Sequence, residues 1–236
     1  MRLVLLLAIV LCRFGAGAML PGALSVPQIN DITKTLGMGS ATRLLRAADA
    51  YPSYPGFKIG AEVLLLSPGH LGQLGNQTGA VTNLLPVPRF VLAKGLFSDL
   101  ELVFSFLPFS LGTVSTVGGA LKWTFAPESE QWLAMAAWVG FTSATAYDGE
   151  FRGQTLEVGM VISKDYVRIK PFLGAAVMGA RGNVAPGLAL GPNESQTLLG
   201  THVFAGFEIE MPVQLTIQIE AVNTDPAASF FIGKHF

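Results

Sequence analysis

The sequence predicts an all-β protein whose strands close into an antiparallel transmembrane barrel, and three observations lead there. Half of the 236 residues are hydrophobic and only 13% are charged, which is too apolar for an ordinary soluble domain. Yet no apolar run after residue 18 approaches the roughly 18–20 residues of a membrane helix; Val63-Leu64-Leu65-Leu66 is typical of the longest. Apolar and polar residues instead alternate with period two over long stretches, as they do in strands with one apolar face. Only helices and closed barrels satisfy every backbone group in hydrocarbon. Apolarity without spanning helices therefore implies a barrel.

Residues 1–18 read as an export signal. Arg2 opens it, Leu3 to Leu11 form its apolar stretch, and Ala16-Gly17-Ala18 is a small-residue cleavage site. The only cysteine, Cys12, falls inside that signal. A chain starting near Met19 would rely on neither disulfides nor a cysteine-built zinc site. Fifteen Lys and Arg against sixteen Asp and Glu give a net charge of −1. That balance leaves no basic excess for a phosphate backbone, so nucleic acid is excluded as a partner.

The expected barrel occupies 56–236, with ten strands at 56–67, 84–94, 99–107, 113–125, 130–144, 152–163, 166–179, 198–209, 213–222 and 228–236; eight or twelve strands are the alternatives. Val213, Leu215, Ile217, Ile219 and Ala221 share one face of the ninth strand, and Gln214, Thr216, Gln218 and Glu220 share the other. The third strand alternates in the same way from Leu100 to Phe106, the sixth from Thr155 to Ser163, and the eighth less cleanly from Thr201 to Ile209. The fifth, Gln131 to Thr142, is apolar on both faces and does not reveal which one points inward. Pro171 is awkward inside the seventh, because a closed barrel has no edge strand to accept it; a bulge or a later strand start would resolve it. Most of these strands have the length of tilted membrane strands. Their connections alternate short and long, the bacterial outer-membrane pattern. An even strand count places both termini on the short-turn side, the periplasm.

The final residues, Ala228-Ser229-Phe230-Phe231-Ile232-Gly233-Lys234-His235-Phe236, resemble the carboxy-terminal assembly signal of outer-membrane β-barrel proteins. Phe230, Ile232 and Phe236 carry the resemblance, and Lys234 departs from it. The resemblance implies insertion by the barrel assembly machinery through the last strand, contact with outer-membrane lipid, and a cell-envelope location.

Residues 19–55 differ from the rest. Met19 to Ile32, with Pro21 and Pro27, read as loose. Ser40 is placed to cap a short helix over 41–50, which Pro52 and Pro55 end. The stretch Leu36-Gly37-Met38-Gly39-Ser40-Ala41 resembles the amino-terminal segment of the long-chain fatty-acid transporter family. There the segment precedes a larger barrel and plugs it. A periplasmic cap or spacer is the other reading of 19–55.

No phosphate loop, nucleophile elbow or His-Glu-x-x-His metal site occurs in the sequence. No catalytic, cofactor-binding or metal site is predicted. Of the histidines, His70 falls in a Gly-rich loop and His235 in the terminal strand; His202 is the one acid–base candidate facing inward. Glu208 shares its face but is six residues away, roughly 20 Å along a strand. Asn76-Gln77-Thr78 and Asn193-Glu194-Ser195 fit glycosylation sequons, expected to be unmodified here. By strand parity the inward charges are Lys58, Glu62, Arg89, Glu101, Lys122, Glu157, Arg168, Lys170, His202, Glu208 and Glu220. They form either a self-neutralising interior or a hydrated channel lining. Inward small residues, including Gly60, Ala93, Gly118, Ala120, Gly159, Gly174, Ala176 and Gly206, leave space for water, a solute or the 19–55 segment. The expected role is a non-enzymatic structural or interaction component of the envelope. Its contacts to other envelope proteins would run through 19–55 or the loops 68–83 and 180–197. The alternatives are a narrow channel for small or apolar solutes and, further off, a barrel hydrolase of lipid or peptide.

Overall fold

The computed structural model describes residues 20–43, 46–49, 56–67, 85–97, 99–107, 114–128, 131–191 and 194–236. The export signal with Cys12, Met19, His70, the loop 68–83, the sequon at Asn76 and Asn193 lie outside the described residues. Ten antiparallel strands form a closed barrel in which each pairs with its neighbours in sequence and the last returns to the first. They are β1 (Phe57–Leu66), β2 (Leu85–Gly95), β3 (Leu100–Leu107), β4 (Val114–Ala126), β5 (Ala134–Ala146), β6 (Phe151–Ser163), β7 (Ile169–Val184), β8 (Ser195–Ile209), β9 (Gln214–Val222) and β10 (Asp225–His235). The seam runs from Lys58↔His235 to Leu66↔Ala227. Phe57 and Phe236 finish it by exchanging backbone hydrogen bonds at 3.2 and 2.8 Å.

Pleating decides which side chains enter the lumen. In β5 it turns Ala134, Ala136, Trp138, Thr142 and Ala144 inward and leaves Val139 and Phe141 exposed, which settles the face its sequence left open. Val158, Val177, Leu199 and Ile219 join the outer apolar belt, and Phe97, Trp132, Tyr166 and Phe236 stand exposed at the rim carrying the turns 96–99, 127–133, 164–168 and 210–213. An apolar band with aromatic residues at its border is how a barrel meets lipid.

Pro171 is accommodated by a later strand start. β7 begins at Ile169 and its pairing with β6 begins at Phe172. Pro171 thus sits at the mouth of the turn, where its carbonyl accepts from Lys164 N–H at 3.2 Å. The same boundary corrects Arg168: it lies in the exposed turn, not in the lumen. β7 and β8 also run further than their glycines suggested. Gly182 is a strand residue, β7 runs to Val184 and β8 starts at Ser195, so the expected loop 180–197 shrinks to 185–194.

The inward glycines are filled in two ways. Aromatic rings from neighbouring strands lie over some of them: Phe231 over Gly60, Trp138 over Gly159, Phe204 over Gly174 and Phe172 over Gly206. Others take residues of the amino-terminal segment, with Thr33 on Gly182, Met38 on Gly200 and Thr42 on Gly118.

That segment runs through the barrel. Its helix is α1 (Val26–Ile32), continued by a π-helical turn (Thr33–Met38). It forms where the sequence reads as loose, because Pro27 stands in the first turn, where no hydrogen bond is lost. Ser25 N–H and Oγ–H donate to Gln28 Oε1 at 3.0 and 3.1 Å. Ile29, Ile32 and Leu36 recur on one side and pack against Val114, Ala146, Phe151 and Val184. The helix expected over 41–50 is absent from its described residues, 41–43 and 46–49. Their carbonyls are taken by side chains instead: Arg89 donates to Ser40 and Ala41, Lys122 to Ala47 and Asp49, and Thr124 to Ala48.

The start of β1 and the end of β10 share one rim, as the even strand count requires. Residues 20–24 lie at the other: Leu20 N–H donates to Glu150 at 2.6 Å, and Leu24 pairs with the 185–194 loop through Leu188 and Leu190. The segment then descends to Asp49, which pairs with Lys170 at the first rim.

A Cβ on Gly182 would run into Thr33, whereas one on Gly191 meets nothing within 4 Å. Gly182→Val is therefore expected to cost about 1–3 kcal/mol through overpacking, read as a lowered unfolding midpoint in detergent. Gly191→Val should leave that midpoint unchanged. Equal midpoints for both would mean that the segment does not press on β7.

Candidate functional site

The lumen gathers nearly every charge the strands turn inward. Lys58, Glu62, Arg89, Glu101, Lys122, Glu157, His202, Glu208 and Glu220 are all buried. Lys170 lies at the rim, half-buried, and holds Asp49, Asp165 and Glu210 at 3.1–3.3 Å. Burial this deep demands partners, and the pairs are made between strands and with the inner segment.

One cluster centres on His202. Its Nδ1 is 2.6 Å from Glu157 and its Nε2 2.8 Å from Glu220. Only the doubly protonated ring can donate to both carboxylates. Glu220 also pairs with Arg43 Nε at 3.0 Å and accepts from Ser229 and Gln218, each at 3.0 Å. The cross-strand partners of His202 are thus two carboxylates, and Glu208 is elsewhere. Ser229 donates to Glu220 rather than to His202. With its side chain 1% exposed, His202 is built into a buried network with Glu157 and Glu220.

A second cluster joins Glu62 to Arg89, whose Nη1 also reaches the carbonyls of Ser40 (3.1 Å) and Ala41 (2.8 Å). A third joins Glu101 to Arg46 at 2.5 Å and to Lys122 at 2.9 Å. There Glu208 accepts from Ala47 N–H at 3.3 Å and lies 4.0 Å from Arg46 Nε. Lys58 stands over the Phe231 ring, 4.1 Å from its centre. Between the clusters Thr42, Ser105 and Thr142 share hydroxyl hydrogen bonds of 2.8–2.9 Å. The void left among Arg43, Arg46, Lys58, Glu62, Glu101 and Phe231 is about 20 Å³, room for about one water.

Among the described residues the strands supply five buried carboxylates, Glu62, Glu101, Glu157, Glu208 and Glu220, against Lys58, Arg89, Lys122 and His202. Arg43 and Arg46 of the inner segment supply the remaining buried positive charge. Parity along strands could not find these two, since they belong to no strand; the one sequence signal for them was the set of inward glycines that leave room.

Charge inside, an apolar belt outside and an even, closed set of strands together define a membrane-spanning barrel of bacterial outer-membrane type. The chain has the closed antiparallel fold of outer-membrane β-barrels. No protein-family model matches it, and no curated protein matches it. Among solved structures, it is similar to Neisserial surface protein A at 16% identity over 75% of this chain and 92% of that one, with a TM-score of 0.34. It is similar to the N-terminal barrel domain of Pseudomonas aeruginosa OprF at 8% identity over 76% and 97%, TM-score 0.37, and to Acinetobacter baumannii Omp33 at 7% over 81% and 100%, TM-score 0.33. The amino-terminal resemblance to the long-chain fatty-acid transporter family is not shown by these comparisons. None of the described helices of this barrel is long and apolar enough to cross a membrane.

Proposed function

We propose that this barrel is a sealed, non-enzymatic structural component of the cell envelope. Residues 20–49 serve as its seal. The rim carrying 185–194 and the start of the inner segment serves as its contact surface for other envelope proteins. The observation that carries this reading is the pairing of charge in the lumen. Arg43 and Arg46 of the inner segment are each buried and each paired to a strand carboxylate. Pairing of that kind favours a fixed interior over a hydrated conduit, because a buried ion that loses its partner is left in low dielectric. Strand β10, with Phe230 and Ile232 turned outward and Phe236 at the seam, is the handle by which the assembly machinery would engage the chain.

Planar-bilayer recording and co-purification from solubilised membranes test this together. The full protein is expected to give no steady conductance and to bring envelope proteins with it. Steady ion conduction by the unmodified protein would favour the narrow-channel reading instead.

A further inference from the structure

The outer surface of β5–β7 changes character near the 147–150 turn. Below it, Leu156, Val158 and Met160 of β6 and Leu173 and Val177 of β7 point into the belt, each more than half exposed. Above Leu156 the next outward positions on β6 are Gln154 and Arg152, and on β7, above Val177 and Gly179, they are Arg181 and Asn183. The register sets Arg152 opposite Asn183 and Gln154 opposite Arg181. The two arginines are therefore diagonal neighbours, roughly 7–8 Å apart. On the neighbouring strand β5, Ser143 and Thr145 continue the polar surface beside Gln154 and Arg152.

These side chains do not cover a flat face. Ser143, Thr145, Arg152, Gln154 and Asn183, with the turn residues Asp148 and Gly149, line an open hollow of about 750 Å³. Arg181 stands beside it, oriented by donation from Nε to Ser195 Oγ at 3.1 Å. Asp148 is the one carboxylate on the lining. Glu150 of the same turn is engaged by Leu20 N–H. The hollow thus offers the Arg152 guanidinium fork and several hydroxyl and amide donors, with the Arg181 fork beside it, at the height where the lipid-facing belt ends. This rim is the outer one, opposite the chain's β1 start and β10 end.

We propose that this hollow binds the phosphate of an outer-leaflet lipid headgroup, while the acyl chains of the same molecule lie along Leu156, Val158 and Val177. Arginine suits that ligand because its planar fork meets phosphate oxygens in pairs. A polar pocket continuous with an apolar belt fits an amphiphile better than a free anion. The site does not depend on whether the lumen is sealed.

The test titrates the full protein in detergent with a bisphosphorylated outer-membrane glycolipid and with the same glycolipid stripped of phosphate. Binding is read by native mass spectrometry. The unmodified protein is expected to prefer the phosphorylated form by about tenfold or more, the scale of one or two charge-assisted hydrogen bonds. Arg152→Gln/Arg181→Gln should abolish that preference, and Lys234→Gln at the opposite rim should preserve it. Heat-modifiable gel migration checks that each variant is folded; if the double variant is not, each single variant should lose part of the preference. Equal binding of the two lipids, or an unchanged preference without the arginines, would overturn the proposal. Displacement of the lipid by millimolar inorganic phosphate would also overturn it, marking a free-anion site.

Discussion

Arg89→Met destabilises the barrel by about 3–5 kcal/mol, the scale for leaving a buried partner charge unpaired. Arg89 and Glu62 are both buried, with side-chain exposures of 0% and 1%. Removing the guanidinium strands the Glu62 carboxylate and also deprives the Ser40 and Ala41 carbonyls of their donor. The loss is read from the unfolding midpoint and slope in urea, with the protein in lipid vesicles. The double variant Glu62→Met/Arg89→Met recovers much of it, because no charge is then left behind and two apolar side chains fill the site. A single variant that loses less than about 1 kcal/mol would place the pair in contact with water, the regime of exposed ion pairs. The interior would then be a hydrated lining.

Arg43→Glu/Arg46→Glu is expected to give the barrel a steady conductance that the unmodified protein lacks. Each substitution sets a carboxylate against another, Glu220 for residue 43 and Glu101 and Glu208 for residue 46. Like charges at such distances in a restricted solvent repel strongly, so the segment leaves its seat while the hydrogen bonding between strands stays intact. The exposed wall carries five carboxylates against Lys58, Arg89, Lys122 and His202. The resulting pore therefore passes cations in preference to anions. Reversal potentials in a potassium chloride gradient measure that preference, with the unmodified protein as the silent reference. A folded double variant that remains silent would show that the wall closes without the segment. An anion-preferring pore would show that the wall acids are not the groups in contact with the permeating ions.

Much of this molecule is written locally. Period-two alternation places Val213 to Ala221 on one face and Gln214 to Glu220 on the other without reference to any other strand, since a pleated chain has no other way to arrange them. The same parity brings Glu62, Glu101, Glu157 and Glu220 inward, and the low charge of the outer face follows from lipid contact. Strand ends were less legible. A glycine reads as a turn when its neighbours are unknown, yet Gly182, inside the expected loop 180–197, is a strand position on which Thr33 presses. Arg168 failed for the matching reason: parity applies only inside a strand, and the turn at 164–168 precedes β7.

What the sequence by itself determined is thus the closed barrel, its lipid belt and the inward parity of Glu62, Glu101, Glu157 and Glu220, all consequences of spacing along one strand. Whether the lumen is filled was decided by tertiary structure alone. The helix expected over 41–50 does not form in the described residues 41–43 and 46–49, because the carbonyls of Ala41, Ala47, Ala48 and Asp49 are taken by Arg89, Lys122 and Thr124, contributed by strands far along the chain. A local helix signal is overridden where distant side chains take the backbone carbonyls. Arg43 and Arg46 could be recognised as the counter-charges of the wall only after folding had carried them into it.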